Sequence, residues 1–360
     1  MLVALFDGHG KEGQMVVHFC KSEVNRFFSA NKMLAAANPH RFLLDLTSAC
    51  DDKLRGGAQG IDASFSGATE VALLINSGVL YCAGVGDSRA VLGTSKPPTI
   101  VYAEQPPRGE DKLLLQEVMR RRSVQVDHPL QAVQLTKDQK PEDPVELDRI
   151  SNSGGVVKRL MDENGHNIGP WRVWKKDTNH PGLAMSRSIG DSVGTEIGVI
   201  STPHLCMHKL QEEDAFIVVA SDGVWDVMEN SEVVDYVEAY RHACLKGTFS
   251  EGPKGERTRP SNAPIAQLLC EEARMRWLSI VEEEDVVIDD ISCVVVELRD
   301  SVVHIVQPPD RCQAPNMDAK DTPHMPEVVS IHTCNLSLNK INRIFQVLHN
   351  LDCRNGIARP

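Results

Sequence analysis

The stretch that decides how this chain is read is Phe216-Ile217-Val218-Val219-Ala220-Ser221-Asp222-Gly223-Val224-Trp225-Asp226. A short continuous apolar run fits a strand buried on both faces, and this one ends in an Asp beside a Gly. Working outward, the same pattern recurs at Leu5-Phe6-Asp7-Gly8-His9-Gly10, at Gly84-Val85-Gly86-Asp87-Ser88-Arg89 and at Val287-Ile288-Asp289-Asp290-Ile291. One Asp-Gly is an ordinary β-turn. A set of acidic strand ends is harder to explain as turns, because strand ends are rigid and can converge on one cleft. Carboxylates gathered there form an oxygen-rich site suited to Mg²⁺ or Mn²⁺, and a Gly neighbour lets a backbone carbonyl approach the ion. Without a cation such a cluster would repel itself and raise its own pKa values. A lone His is usually a surface or satisfied side chain. Beside a metal-binding Asp, His9 becomes a candidate proton donor to a leaving group.

The remaining pattern supplies the frame. Val16, Phe19, Cys20, Val24, Phe27 and Phe28 recur at helical spacing, as do Phe42, Leu43, Leu46, Ala49, Cys50 and Leu54 before Gly56-Gly57. Val71–Ile75, Val79–Ala83 and Arg89–Leu92 read as an antiparallel meander. Residues 94–131 are rich in Pro and charge and read as an insertion loop, with a short helix over 113–119. Strands are predicted over 132–135, 155–160, 171–174 and 216–220, with Asp162-Glu163-Asn164-Gly165 as a hairpin turn. Helices follow over 231–246, capped by Asn230, and over 264–280, separated by a Gly- and Pro-containing segment, 247–263, that reads as a mobile loop. A last strand spans 286–298. Helices combined with hairpin-linked strands indicate an α+β domain over residues 1–299 with antiparallel sheets. The Pro-rich tail, 300–360, carries one amphipathic candidate helix over 336–351.

Composition narrows the function classes. The 360 residues hold 38 Lys and Arg against 50 Asp and Glu, a net charge of −12, with no basic cluster longer than Arg120-Arg121-Arg122. That balance argues against nucleic acid and anionic membranes as partners. The ten cysteines are scattered singly with no CxxC pair, so zinc ribbons and redox motifs are not expected. Cys82 and Cys293 sit inside apolar runs, where Cys acts as a small core hydrophobe. No window approaches 18 apolar residues and no leader pattern opens the chain. The expectation is an intracellular protein, cytoplasmic or nuclear, and a monomer.

Several motifs in order carry a family resemblance. Phe6-Asp7-Gly8-His9-Gly10, Ser66-Gly67-Ala68-Thr69, Gly86-Asp87-Ser88-Arg89-Ala90, Leu135-Thr136-Lys137-Asp138-Gln139-Lys140-Pro141, Leu183-Ala184-Met185-Ser186-Arg187-Ser188-Ile189-Gly190-Asp191, Ala220 to Asp226, and Asp289-Asp290-Ile291-Ser292 resemble the motif series of the metal-dependent protein phosphatases, the PPM or PP2C type. The resemblance implies a four-layer α-β-β-α sandwich, two antiparallel sheets flanked by helices, with a two-metal centre at one end. It implies that Asp7 bridges two Mg²⁺ or Mn²⁺ ions, that Gly8 offers its carbonyl to one, and that Asp222 and Asp289 bind the other. Asp87 and Asp226 resemble ligands of a looser third site, and His9 resembles the general acid. The implied reaction is direct attack of a metal-bridging water on the phosphorus of phosphoserine or phosphothreonine in phosphoprotein substrates.

The family pattern opens with a strand that carries an Arg for the substrate phosphate and an acidic residue for the second metal. Here Met1 stands six residues before Asp7 and that strand is absent, as in an incomplete gene model or fragment. An open sheet edge and a weaker second metal site are the expected consequences. Arg187 and Arg89 are the motif arginines nearest to a substrate phosphate, although Arg187 could equally pair with Asp191. Gln139 and Glu70 depart from the family's usual His and small residue. The alternative function is a catalytically weak, phosphatase-like binding or regulatory module, which would be expected to lose ligands that this chain keeps. A nucleotide-dependent transferase lacks its phosphate-binding glycine loop.

Overall fold

The apolar runs become strands whose two faces are both covered. The computed structural model describes residues 1–96, 100–103, 130–246, 264–280, 290–298, 330–336 and 345–349. The chain opens with β1 (Leu2–Phe6) and β2 (Gly8–His9), then α1 (Gly13–Ala30), α2 (Lys32–Ala37) and α3 (Pro39–Arg55). Next come β3 (Gly67–Ala68), β4 (Glu70–Asn76), β5 (Val79–Val85), β6 (Arg89–Thr94), β7 (Ile100–Ala103) and β8 (Gln131–Gln134). After α4 (Pro144–Asn152) follow β9 (Gly155–Met161), β10 (Asn167–Lys175), β11 (Pro181–Leu183), β12 (Ile189–Gly190) and the short α5 (Ser192–Thr195). The chain continues through β13 (His204–Lys209), β14 (Asp214–Ala220), α6 (Asp222–Trp225), α7 (Asn230–Lys246) and α8 (Ile265–Ile280). The last described elements are β15 (Ile291–Glu297), β16 (Ser330–Leu336) and β17 (Phe345–His349).

Two large antiparallel sheets form the middle layers, in the orders β17-β1-β4-β5-β13-β7 and β16-β15-β14-β6-β8. Strand alternation sorts their side chains. Val3, Leu5, Val71 and Leu73 of one sheet share a buried cluster with Leu92, Ile217, Val219, Val294 and Val296 of the other. The opposite face of the first sheet, with Leu2, Ala4, Phe6 and Leu74, is covered by Val16, Cys20, Phe28, Phe42 and Leu46 of α1 and α3. The opposite face of the second, with Val91, Phe216, Val218 and Val295, is covered by Val233, Val234, Val237 and Leu269 of α7 and α8. This is the expected α+β, four-layer α-β-β-α sandwich. Cys20, Cys50, Cys82, Cys206, Cys270 and Cys293 are buried thiols. Among the described residues no helix is long and apolar enough to cross a membrane.

Four expectations are corrected. The meander stops after two strands: β4 pairs with β5, but β6 pairs with β14 and β8 in the facing sheet. An apolar run buried on both faces has no period that says which sheet it joins. Within the segment read as an insertion loop, Ile100–Ala103 is a strand on the edge formed by β13, while the helix expected over 113–119 lies outside the described residues. The loop over 247–263 lies outside them as well. The helix expected over 336–351 is also not found, since Phe345–His349 is a strand that runs antiparallel to β1, from Leu2↔His349 to Phe6↔Phe345. Ser330–Leu336 likewise pairs with β15. The edge of β1 that was expected to stand open therefore carries a partner, and unpaired edge N–H and C=O groups outweigh a local helical period.

Glu70, the unusual residue after Thr69, is fully buried on β4. Thr47 Oγ1 donates to its Oε2 at 2.6 Å, while Oε1 has no hydrogen-bond partner. Burial pushes its pKa up to about 7 against the opposing Thr47 hydrogen bond. Between the ordinary carboxylate range and about pH 7, the folded chain keeps a proton that the unfolded chain releases, so stability falls as pH rises across that window. The Glu70→Gln variant removes this dependence. Its unfolding free energy relative to the parent should grow by about 2 to 3 kcal/mol from pH 5 to pH 8, measured by denaturant titration. Parallel pH profiles would show that Glu70 ionises as easily folded as unfolded.

Candidate active site

The site begins at a small sheet of order β12-β3-β2. β3 stands between the other two, with Gly8 and His9 opposite Ala68 and Gly67 on one side and Ile189 and Gly190 opposite the same pair on the other. Residues just over 180 positions apart therefore meet across one glycine. His9 Nε2 lies 2.6 Å from Asp191 Oδ2. A Cβ at Gly67 would collide with the Asp191 carboxylate and the Ser188 hydroxyl, which fixes Gly at that position. Thr69 sets Asp7: its N–H donates to the Asp7 carbonyl at 2.8 Å, and its hydroxyl accepts from the Asp7 N–H at 3.2 Å. Ser221, at the end of β14, accepts from the Ser292 N–H and donates to the Asp290 carbonyl, both at 3.1 Å, and so holds the start of α6 against β15.

These strand ends surround a cavity of about 320 Å³ lined by Asp7, Gly8, His9, Asp87, Arg172 and Asp222, among others. Asp7 and Asp222 are half-buried, and Asp87 is buried. Burial alone would push the His9 pKa down. The Asp191 carboxylate, by charge and hydrogen bond, and then Asp7 and Asp87, raise it above the ordinary histidine value. The three carboxylates lining the cavity offer oxygen donors, which is the chemistry of a hard divalent cation. Gly8 packs so closely on the first turn of α1 that a Cβ would meet the Gly13 carbonyl oxygen at 2.6 Å. As the side chains stand, no group of three or more His, Cys, Asp and Glu among the described residues comes together closely enough to hold an ion. Asp289 lies outside the described residues.

A sequence profile described as protein phosphatase 2C matches residues 1–273. The chain belongs to the protein phosphatase 2C family. Among curated relatives it is 34% identical over 255 residues to "Probable protein phosphatase 2C 48" of Oryza sativa subsp. japonica, a match covering 66% of this chain and 64% of that protein. It is 30% identical over 308 residues to "Probable protein phosphatase 2C 72" of Arabidopsis thaliana, covering 83% of this chain and 76% of that one. Among solved structures, the serine-threonine phosphatase 2C from Toxoplasma gondii superposes with a TM-score of 0.54 at 19% identity, over 82% of this chain and 83% of that one. That likeness concerns the fold.

Within this phosphatase 2C fold, the remaining motif residues take other places. Asp226 is exposed just after α6 and is not among the residues lining the cavity. Lys140 Nζ sits 2.6 Å from Asp87 Oδ2, and its pKa is raised by Asp87, then Asp222 and Asp226, although burial opposes this. The side chain expected in a loose third metal site thus has an ammonium group as partner. Arg187 pairs neither with Asp191 nor with the cavity. Its Nε and Nη2 lie 3.0 and 2.6 Å from the Glu146 carboxylate, and its Nη1 donates to the Thr202 carbonyl at 2.8 Å. Arg89 is held in the same way by Asp138, at 3.0 and 2.6 Å. The sequence reading missed Asp191 as the partner of His9, Glu146 as the partner of Arg187, and Arg172 altogether.

Glu146 is buried and also takes Arg149 and Ser186, at 2.7 and 2.5 Å. Burial would raise its pKa, but hydrogen bonds from Arg187 and Arg149 bring it down to about 2. Its stabilising contribution is present above the ordinary Glu range and is lost as pH falls through about 2. The Glu146→Ala variant leaves two largely buried guanidinium groups without their carboxylate. It should lower the unfolding free energy by about 3 kcal/mol or more, measured by urea titration at pH 7. A loss under about 1 kcal/mol would mean that water replaces the carboxylate, as at a surface ion pair.

Proposed function

We propose that this chain is a Mg²⁺- or Mn²⁺-dependent protein serine/threonine phosphatase. The observation that carries the reading is the gathering of Asp7, Asp87 and Asp222 around one cavity with the His9–Asp191 pair at its wall. Asp7, Gly8 and Asp222, with Asp289, are the residues that would hold the ions. When bound, these ions supply positive charge against the phosphate and acidify a water nucleophile. The chain's own residues do the rest. Asp191 orients the His9 ring and favours its protonated form, which places a proton donor at the wall of the cavity. A departing seryl or threonyl alkoxide needs such a proton, and general acid catalysis of this kind contributes roughly 10²- to 10⁴-fold. The cavity stands at the ends of strands packed in two sheets, so these groups are held in place before substrate arrives.

The test is hydrolysis of a phosphoserine or phosphothreonine peptide followed by phosphate release. Activity should rise with added Mn²⁺, disappear in excess EDTA, and fall by about 100-fold or more in the Asp222→Ala variant. Activity that survives either treatment would overturn the metal-dependent reading. Tight binding of the phosphopeptide with no phosphate release would favour the phosphatase-like binding module instead.

A further inference from the structure

A phosphate entering this cavity meets carboxylates on several sides, and beside any bound ions a cationic side chain of the chain itself can receive it. Among the described residues lining the cavity, Arg172 of β10 is the sole Arg or Lys. Its Nη1 donates to the carbonyl of Gly182 in β11 at 2.7 Å, which ties the guanidinium plane to the neighbouring strand. Its Nε is buried and has no hydrogen-bond partner. The other arginines of the motif region provide the contrast. Arg187 turns its Nε–Nη2 edge onto Glu146, and Arg89 turns the same edge onto Asp138. That edge is the two-toothed fork that matches a carboxylate or phosphate. In Arg172 no acidic side chain among the described residues occupies it, and a buried N–H left unmet is costly. The Gly182 contact accounts for Nη1 and leaves the fork unexplained.

We propose that Arg172 is a substrate-phosphate ligand whose Nε–Nη2 edge receives two oxygens of the phosphoserine or phosphothreonine group. This rests on the phosphatase reading above. It also gives the chain a phosphate-binding arginine within the described cavity, whereas Arg187 and Arg89 are committed to carboxylates. Substrate binding then supplies the acceptor that the folded chain withholds, and a guanidinium fork favours a tetrahedral oxyanion over the uncharged serine or threonine side chain.

The experiment measures peptide hydrolysis with Mn²⁺, inhibition by inorganic phosphate, and thermal unfolding in full-length Arg172→Ala, Arg172→Lys and Arg159→Ala. Arg159 is the control: it lies on β9, across the hairpin from β10, and its Nε donates to the Gly169 carbonyl at 2.6 Å. The expected result in Arg172→Ala is a rise of about 10-fold or more in both KM and the phosphate inhibition constant, with unfolding unchanged. Arg172→Lys, which keeps the charge and loses the fork, should fall between the two, and it carries the test if the Ala variant does not fold. Arg159→Ala should match the parent. Unchanged KM and phosphate inhibition in the Arg172 variants, or equal changes in Arg159→Ala, would overturn the assignment and leave the phosphatase reading standing. If the parent itself hydrolyses no phosphopeptide, that reading fails, and the assignment is decided by calorimetric titration with a phosphopeptide and its unphosphorylated twin. Phospho-dependent binding that is lost in both Arg172 variants supports it, and binding that both retain, or its absence in the parent, overturns it.

Discussion

Everything at the cavity depends on the apolar contact between the two large sheets. Val3, Leu5, Val71 and Leu73 share one buried apolar cluster with Ile217, Val219, Val294 and Val296. Side chains alternate along a strand, so fixing one set between the sheets also fixes which residues meet the helices and where each strand ends. A slip of one residue in β14 would move Ile217 and Val219 to the helix side and shift the start of α6 with them. The apolar contact therefore sets the positions of Asp7 and Asp222, although neither takes part in it.

The second constraint is local and steric. The β12-β3-β2 sheet is only two residues deep, too small to be stable alone. It holds because its members continue from packed elements: β2 follows β1 after Asp7, and the Gly190 N–H of β12 donates to Asp51 of α3 at 2.9 Å. Inside that frame, the missing side chain at Gly67 is what allows the His9 ring and the Asp191 carboxylate to meet. A histidine three residues beyond the end of β1 thereby gains a buried acidic partner from a segment far along the chain.

What could be read in the sequence and what could not divide along the same physical line. Strand-length apolar runs ending in Asp were legible because burial on both faces demands continuous apolar residues and Asp-Gly ends them, so Asp7, Asp87 and Asp222 could be placed together. The helices over 13–30, 39–55, 230–246 and 265–280 were legible because each buries one face at a 3.6-residue period. Partner choice was not legible. Arg187 is four residues from Asp191, and Glu146 is 41 positions away, yet the fold pairs Arg187 with Glu146. The crossing of β6 to the facing sheet and the pairing of β17 with β1 are choices of the same kind. Arg172 lay hidden because it sits in a hairpin strand of mixed polarity, where nothing local marks an arginine as facing a cavity.

Two unmet groups lie where the chemistry is proposed. Asp191 adopts φ 44°, a left-handed conformation that costs a non-glycine residue roughly 1 kcal/mol or more. Its backbone N–H is satisfied by the Ser66 carbonyl at 3.0 Å and its Oδ2 by His9, but its buried Oδ1 has no hydrogen-bond partner. The Nε of Arg172, on the wall of the same cavity, is in the same condition. By contrast, the buried carboxylates of Glu146 and Asp87 and the guanidinium groups of Arg187 and Arg89 have partners of opposite charge. A chain selected for stability alone would relax φ at position 191 with a glycine and remove an arginine that leaves an N–H unmet. Retaining both near His9 places an energetic cost at the cavity where an entering oxyanion and its proton donor would offset it.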